Sequence, residues 1–179
     1  HMYKGVYRIQ LNASLDSVKE LEYITNPDST RKESALNVMM LRGRVVLTDG
    51  YQFYMYEDLS QKVVPFNELN NQFKGMGDTY RIVPVNNDLY WFISSSEYML
   101  VGFENGRYEA KARIPFGLFD NPPIEDRGNI YVDEAGISYS CLNGGIARYN
   151  KEKQLPQSHV SLLLSSVRVY NRHKETYQF

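Results

Sequence analysis

The chain has 179 residues, 42% of them hydrophobic and 23% charged, a composition typical of one ordinary soluble domain or one and a half. A net charge of -1 leaves no basic face to neutralise phosphates, so a nucleic-acid partner is excluded for this segment. The sequence has no apolar run of about 18 residues and no signal peptide, so it predicts no membrane span. Its 15 tyrosines favour strands, where aromatic side chains pack well on a half-buried pleated surface.

The N-terminal part is predicted to form a hairpin. The opening His1-Met2 indicates residues left by an expression vector, and we expect the chain to be a piece of a larger protein. Two strand-like stretches, residues 5–11 and 18–24, are separated by turn residues. We interpret residues 3–22 as the outer hairpin of a sheet whose inner strands are missing.

Residues 36–65 are predicted to form a complete four-stranded sheet. Short apolar runs alternate there with three tight turns, among them Arg42-Gly43 and Asp49-Gly50. The stretch 66–73 that follows favours a helical turn, which Gly75 would end.

Residues 79–115 predict a second complete four-stranded sheet. The run Leu89 to Ile93 is apolar without alternation, which indicates a strand covered on both faces. Trp91, the only tryptophan, lies on this strand. Packing between sheets is the favoured interpretation of its indole, and stacking on a ligand is the alternative.

The fourth unit ends in a predicted hairpin. Its strands are 137–141 and 146–149, and they are separated by the turn 142–145. A single cysteine, Cys141, makes no internal disulfide and is expected to be a small buried side chain in this hairpin.

Apolar hairpin strands recur along the chain at intervals of about 47 residues, which is the sequence mark of propeller blades. The predicted fold is therefore all-β: a partial β-propeller of about three to four four-stranded antiparallel blades over residues 3–150. A polar linker is predicted at 151–159. Residues 160–179 are predicted to supply the first strand of a following β domain.

Two stretches carry a resemblance to a known family. Residues 133–140 followed by 143–150 resemble the two-component-regulator propeller repeat, although Ser138 stands where that repeat usually carries Trp. Residues 162–171 resemble the first strand of the triple-tyrosine, immunoglobulin-like domain that follows such propellers. Only about three and a half blades are present, whereas the family has many more.

The resemblance implies a non-catalytic, periplasmic sensor segment of a signal-transducing transcriptional regulator, as in Bacteroidetes-type hybrid two-component systems. Such a region senses glycan-derived fragments or another nutrient. It passes the signal through a membrane helix to a histidine kinase or DNA-binding output, so this segment would meet the membrane only through other parts of its parent.

Four aromatic residues are the candidate ligand-binding residues: Tyr90, Trp91, Tyr131 and Tyr139. They would either line the blades or stack against the aligned C–H groups of an oligosaccharide ring. No catalytic residue, metal ligand or cofactor is predicted, since the chain has no nucleophile elbow, phosphate-binding loop or metal-ligand spacing.

The alternative function is a propeller-fold glycoside hydrolase or lyase that uses paired carboxylates. Its candidates are Glu125, Asp126, Asp133 and Glu134. These form two pairs of sequence neighbours, whose side chains would point to opposite faces of a strand. The chemistry of a hairpin turn is a sufficient explanation for the acidic residues at 133 and 134.

An open stack of blades leaves one face of each end sheet uncovered. Those faces are expected to be as apolar as the inner ones, which favours a homodimer or other self-association through the exposed blade faces.

Overall fold

The computed structural model describes residues 5–28, 30, 35–124, 126–150, 168–170 and 176–178, and their fold is all-β. The chain divides into two compact units, His1–Tyr149 and Asn150–Phe179. None of the helices in the described part is long and apolar enough to cross a membrane.

The first unit contains four antiparallel sheets, and each is built from strands that follow one another in the chain. The first sheet contains β1 (Val6–Leu11) and β2 (Val18–Ile24). The second sheet contains β3 (Asn37–Leu41), β4 (Arg44–Thr48), β5 (Phe53–Glu57) and β6 (Lys62–Pro65).

The third sheet contains β7 (Arg81–Asn86), β8 (Leu89–Ile93), β9 (Glu97–Glu104) and β10 (Arg107–Pro115). The fourth sheet contains β11 (Ile130–Val132), β12 (Ser138–Leu142) and β13 (Gly145–Arg148). The predicted N-terminal hairpin, the two four-stranded sheets and the C-terminal hairpin are therefore confirmed.

Glycine-containing dipeptides set the tightest turns. Arg42 and Gly43 have φ values of 50° and 75°, and Asn105 and Gly106 have 53° and 79°. Two successive residues with positive φ make the mirror-image turn whose twist matches that of a hairpin. The residue pairs Arg-Gly and Asn-Gly thus fix the register of β3–β4 and β9–β10.

One short helix, α1 (Asn67–Gln72), connects the second sheet to the third. Its Leu69 is fully buried. The amide of Asn70 pairs with the backbone of Phe53, because its Oδ1 accepts the N–H at 2.7 Å and its Nδ2 donates to the carbonyl at 2.9 Å. The side chain therefore replaces a strand partner at the start of β5.

Two apolar clusters hold the sheets together. The first lies between the second and third sheets, where Phe53 and Phe73 contact Phe92 with ring centroids 5.9 and 6.0 Å apart. The second lies between the third and fourth sheets and is formed around Trp91 and Ile93. The third sheet is thus covered on both faces, as the unbroken apolar run of β8 predicted.

Polar groups connect the first sheet to the second. The guanidinium of Arg8 lies 5.2 Å from the ring centroid of Tyr56. Beyond β2, the side-chain amide of Asn26 donates to Asp49 Oδ2 at 3.1 Å, and the Tyr54 hydroxyl donates to the same oxygen at 3.1 Å. Burial raises the pKa of Tyr54 to about 12, so this hydroxyl keeps its proton at neutral pH.

Asp49→Ala is expected to lower the free energy of unfolding by about 2 kcal/mol, because it leaves buried donors unsatisfied. Burial alone would raise the pKa of Asp49, but hydrogen bonds from Asn26, Gln52, Tyr51 and Tyr54 outweigh it and hold the pKa below its ordinary value of 3.8. The ionised carboxylate therefore contributes stability above about pH 4, and that stability is lost as the pH falls through the lowered pKa.

Urea unfolding of the wild type and of Asp49→Ala at pH 7 and pH 3 measures both effects. The stability difference between the two proteins should be smaller at pH 3. A difference that is equal at both pH values would contradict the role of the ionised carboxylate.

In the second unit, β14 (Arg168–Tyr170) and β15 (Thr176–Gln178) pair as an antiparallel hairpin. The predicted linker at 151–159 and residues 160–167 of the predicted strand lie outside the described residues.

Candidate functional site

Two of the four predicted ligand-binding aromatics are buried in the stack. Tyr90 is 5% exposed, lies in the first apolar cluster and donates its hydroxyl to the carbonyl of Asn87 at 2.5 Å. Trp91 is 1% exposed and lies in the second cluster, where its ring meets that of Tyr149 edge-on at 5.0 Å. The two side chains point to opposite faces of β8.

The indole of Trp91 is also hydrogen-bonded. Its Nε1 donates to Ser138 Oγ at 2.8 Å, across the contact between the third and fourth sheets. The adjoining cavity has a volume of about 20 Å³, which is the size of a single water molecule. A saccharide has no access to Tyr90 or Trp91, because neighbouring sheets cover both faces of their strand.

The other two aromatics lie together on the outer face of the fourth sheet. Tyr131 pairs with Tyr139, and Tyr139 with Arg148, in adjacent strands, so all three share one face. Cys141 and Ile146 form the next pair on this face. We call these five residues the Tyr131 face.

Four of the five residues of the Tyr131 face are exposed, and Tyr139 is half-buried. Tyr131 is 65% exposed and Ile146 is 74% exposed. The rings of Tyr131 and Tyr139 have centroids 6.4 Å apart and planes inclined by 32°. Cys141 is exposed here too, so its predicted burial is wrong, because none of the other sheets described in the first unit packs on the side of β12 on which it lies.

Asp133 fixes the turn that positions Tyr139. Its Oδ1 accepts the backbone N–H groups of Ala135 at 3.0 Å and Ile137 at 2.8 Å. Its Oδ2 accepts the hydroxyl of Tyr139 at 3.4 Å. Gly136, with a φ of 78°, supplies the left-handed residue of the same turn. The turn chemistry expected at Asp133 is confirmed.

The four carboxylates proposed for a glycoside hydrolase or lyase do not form a catalytic pair among the described residues. Asp133 is bonded within its turn, Asp126 and Glu134 are exposed, and Glu125 lies outside the described residues. Within the described part of the chain, no three His, Cys, Asp or Glu side chains come together as metal ligands.

A cleft of about 270 Å³ was not predicted from the sequence. It is lined by Arg42, Arg44, Phe66, Glu68, Phe103 and Tyr108. The guanidinium of Arg42 stacks 3.4 Å above the Phe103 ring and lies 3.6 Å from Asp88. Burial raises the pKa of Tyr108, and the charge of Glu68 adds to the shift. We call this site the Arg42 cleft, and its guanidinium groups suit a carboxylate or phosphate.

The Arg42 cleft was missed because its walls come from four separate elements. The only local signal was the presence of two arginines on either side of Gly43. The Tyr131 face, in contrast, is formed by neighbouring strands, so the sequence could place Tyr131 and Tyr139 together.

Comparison of the chain with protein-family models, curated proteins and solved structures found no match.

Proposed function

We propose that this chain is a non-catalytic segment of an extracytoplasmic β-propeller sensor and that it binds a glycan-derived ligand on the Tyr131 face. The supporting observation is the arrangement of the sheets: each is an antiparallel meander of consecutive strands, and the second, third and fourth sheets pack face to face in chain order. Blades of a propeller follow one another in this way.

The contacts between sheets agree with the repeat length read from the sequence. The hydrogen bond from Trp91 to Ser138 joins consecutive sheets across 47 residues. The same residue, Ser138, departs from the family repeat by replacing its usual Trp. The small Ser138 side chain leaves room for Trp91 of the preceding sheet, and its hydroxyl accepts a hydrogen bond from the indole N–H.

The Tyr131 face supplies the chemistry for a sugar ligand. The exposed ring of Tyr131 and the half-buried ring of Tyr139 offer an apolar surface for the C–H face of a pyranose, and Arg148 and Asp133 lie beside Tyr139 as hydrogen-bonding groups. Because the rings sit on paired strands and Asp133 holds the Tyr139 hydroxyl, the face is largely preorganised.

Tyr131→Ala is expected to weaken oligosaccharide binding about five- to tenfold, since an aromatic stacking contact contributes about 1 kcal/mol. Isothermal titration calorimetry with panels of neutral and acidic oligosaccharides measures the affinity of the wild type and of the variant. Tyr51→Ala is the matched control, because Tyr51 is 66% exposed but lies outside the Tyr131 face. Equal weakening by Tyr51→Ala would contradict a specific site.

Two further outcomes separate this proposal from its competitors. Arg44→Ala should leave binding unchanged; loss of binding in this variant but not in Tyr131→Ala would move the ligand to the Arg42 cleft. Release of new reducing ends during incubation with the bound saccharide would overturn the non-catalytic assignment.

A further inference from the structure

The Arg42 cleft lies at the rim of the contact between the second and third sheets. In β4, Arg44 lies on the same face as Val46, because alternate residues of a strand share a face, and Val46 is fully buried in the first apolar cluster. In β9, Phe103 continues the face of the buried Val101 in the same way. All residues of the cleft lie between residues 42 and 108, so the second and third sheets and α1 form it without the ends of the chain.

The guanidinium of Arg42 is fixed but still has N–H groups to offer. It stacks 3.4 Å above the ring of Phe103, and its Nη2 lies 3.6 Å from Asp88 Oδ1. The second distance is longer than a hydrogen bond, so the ion pair leaves donors of the guanidinium available. A guanidinium that is already stacked loses less conformational freedom when it binds an anion.

Arg44 and Tyr108 add further donors to the same cleft. Arg44 is exposed and forms no ion pair with any residue that the structure describes. The ring of Tyr108 is fixed by edge-on contacts with Phe66 at 6.1 Å and Phe103 at 4.8 Å. Its hydroxyl has no hydrogen-bond partner among the described residues, although the side chain is only 5% exposed. Burial raises the pKa of Tyr108, so the hydroxyl remains a donor at neutral pH.

The charges of the lining residues limit the charge of a ligand. Besides burial, the charge of Glu68 raises the pKa of Tyr108. The charges of Arg42 and Arg44 lower this pKa, so both guanidinium groups lie near the hydroxyl. Two arginines and one glutamate give the cleft a net charge of +1. One negative group balances it, whereas the second charge of a sulfate or phosphate would be repelled by Glu68.

We propose that the Arg42 cleft binds a small monocarboxylate that also carries a hydroxyl group. The guanidinium groups of Arg42 and Arg44 donate charge-assisted hydrogen bonds to the carboxylate, and the hydroxyl of Tyr108 donates a third. Glu68 accepts a hydrogen bond from the hydroxyl group of the ligand. The cleft has a volume of about 270 Å³. This is just below the range of about 300–1,000 Å³ for pockets that hold drug-sized ligands, so a short hydroxy acid suits it.

Titrations with lactate, lactamide and sulfate, followed by nitrogen-15 NMR of the whole chain, test the proposal. Lactamide is the neutral counterpart of lactate and isolates the contribution of the carboxylate, and sulfate tests the limit on charge. Lactate is expected to shift the amide signals of residues 42–44 and 103–108. Lactamide should leave these signals in place, and sulfate should bind about fivefold more weakly than lactate.

Arg44→Ala is expected to weaken lactate binding about tenfold, because it removes charge-assisted hydrogen bonds. Arg81→Ala is the matched control, since Arg81 is also exposed and carries the same charge but lies at the opposite end of the third sheet. Tyr108→Phe keeps the ring contacts and should weaken binding about threefold. Glu68→Gln removes the repelling charge, so sulfate should then bind about as tightly as lactate.

The cleft is separate from the Tyr131 face. It lies between the second and third sheets, whereas Tyr131 and Tyr139 lie on the fourth. Tyr131→Ala should therefore leave lactate binding unchanged, just as Arg44→Ala should leave oligosaccharide binding unchanged. Failure of one proposal is then visible separately from failure of the other.

Three results would overturn the carboxylate site. Equal weakening by Arg44→Ala and Arg81→Ala would mean that lactate responds only to the net charge of the chain. Binding of lactamide or sulfate at least as tight as that of lactate would exclude a monocarboxylate as the preferred ligand. If lactate shifted none of the signals of residues 42–44 and 103–108, the assignment to this cleft would be wrong.

Discussion

Trp91→Ala is expected to lower the free energy of unfolding by about 3–5 kcal/mol, the range for removing a large buried aromatic side chain. Trp91 is 1% exposed and is the largest side chain in the contact between the third and fourth sheets. Alanine would open a cavity against Tyr149, and it would leave Ser138 Oγ without the indole donor. Because the fourth sheet has only three short strands, this variant should lose its contact with the third sheet before the second and third sheets separate.

Two milder variants separate the loss of apolar contact from the loss of the hydrogen bond between Trp91 and Ser138. Trp91→Phe removes the donor but keeps most of the apolar contact, and Ser138→Ala leaves the indole N–H unpaired at a cost of about 1–3 kcal/mol. A double-mutant cycle with both substitutions gives the coupling energy of the hydrogen bond. Urea unfolding followed by far-UV circular dichroism measures all variants on one scale.

The half-buried Tyr139, at the equivalent position of the fourth sheet, provides the control. Tyr139 follows Trp91 by about one repeat but lies outside both apolar clusters of the first unit, so Tyr139→Phe should change stability by only about 0.5 kcal/mol. If Trp91→Ala cost no more than Tyr139→Phe, the third and fourth sheets could not be packed as described.

The strands and sheets were predictable because their signals are local. Residue pairs such as Arg42-Gly43 and Asn105-Gly106 adopt the positive φ values that a two-residue hairpin turn requires, and the apolar runs between them have the length of strands. Four strands joined by such short turns pair with their neighbours in chain order, because each turn brings only the next strand alongside. The helical turn before Gly75 was also correctly predicted, as α1.

Local signals favoured the burial of Trp91, but they did not show how far the aromatic residues of the fourth sheet would be exposed. Trp91 lies in an unbroken apolar run and is 1% exposed, whereas Tyr139 lies between two serines and is half-buried. The difference depends on which other sheet packs on each side chain, and that sheet comes from a distant part of the sequence. The misplacement of Cys141 and the missed Arg42 cleft have the same cause, because non-adjacent elements decide both.

The connection between the second and third sheets depends on Gly77, which the sequence indicates, with Gly75, only as an end to the preceding helical turn. Gly77 forms an isolated antiparallel bridge with Tyr51, immediately before β5. Close to this bridge, at the end of β4, Thr48 Oγ1 donates to the carbonyl of Thr79 at 2.6 Å. The connecting chain is thus held directly against the turn between β4 and β5.

Gly77→Ala is expected to destabilise the fold by about 3 kcal/mol, at the upper end of the usual effect of overpacking. A Cβ at this position would lie 1.9 Å from the carbonyl carbon of Tyr51 and 2.2 Å from the backbone nitrogen of Gln52. Backbone atoms cannot turn aside as a flexible side chain can, so the bridge and the start of β5 would have to separate.

Two other glycines separate this steric effect from that of backbone conformation. Gly117→Ala meets no atom within 4 Å and should change stability by only about 0.5 kcal/mol. Gly75→Ala also enters open space but at a φ of 85°, so it should cost about 1–2 kcal/mol. Thermal and urea unfolding of the three variants should therefore rank Gly77→Ala as the most destabilising. An effect of Gly77→Ala no larger than that of Gly75→Ala would mean that the chain at residue 77 does not pass against Tyr51. The close packing of the second and third sheets would then need another explanation.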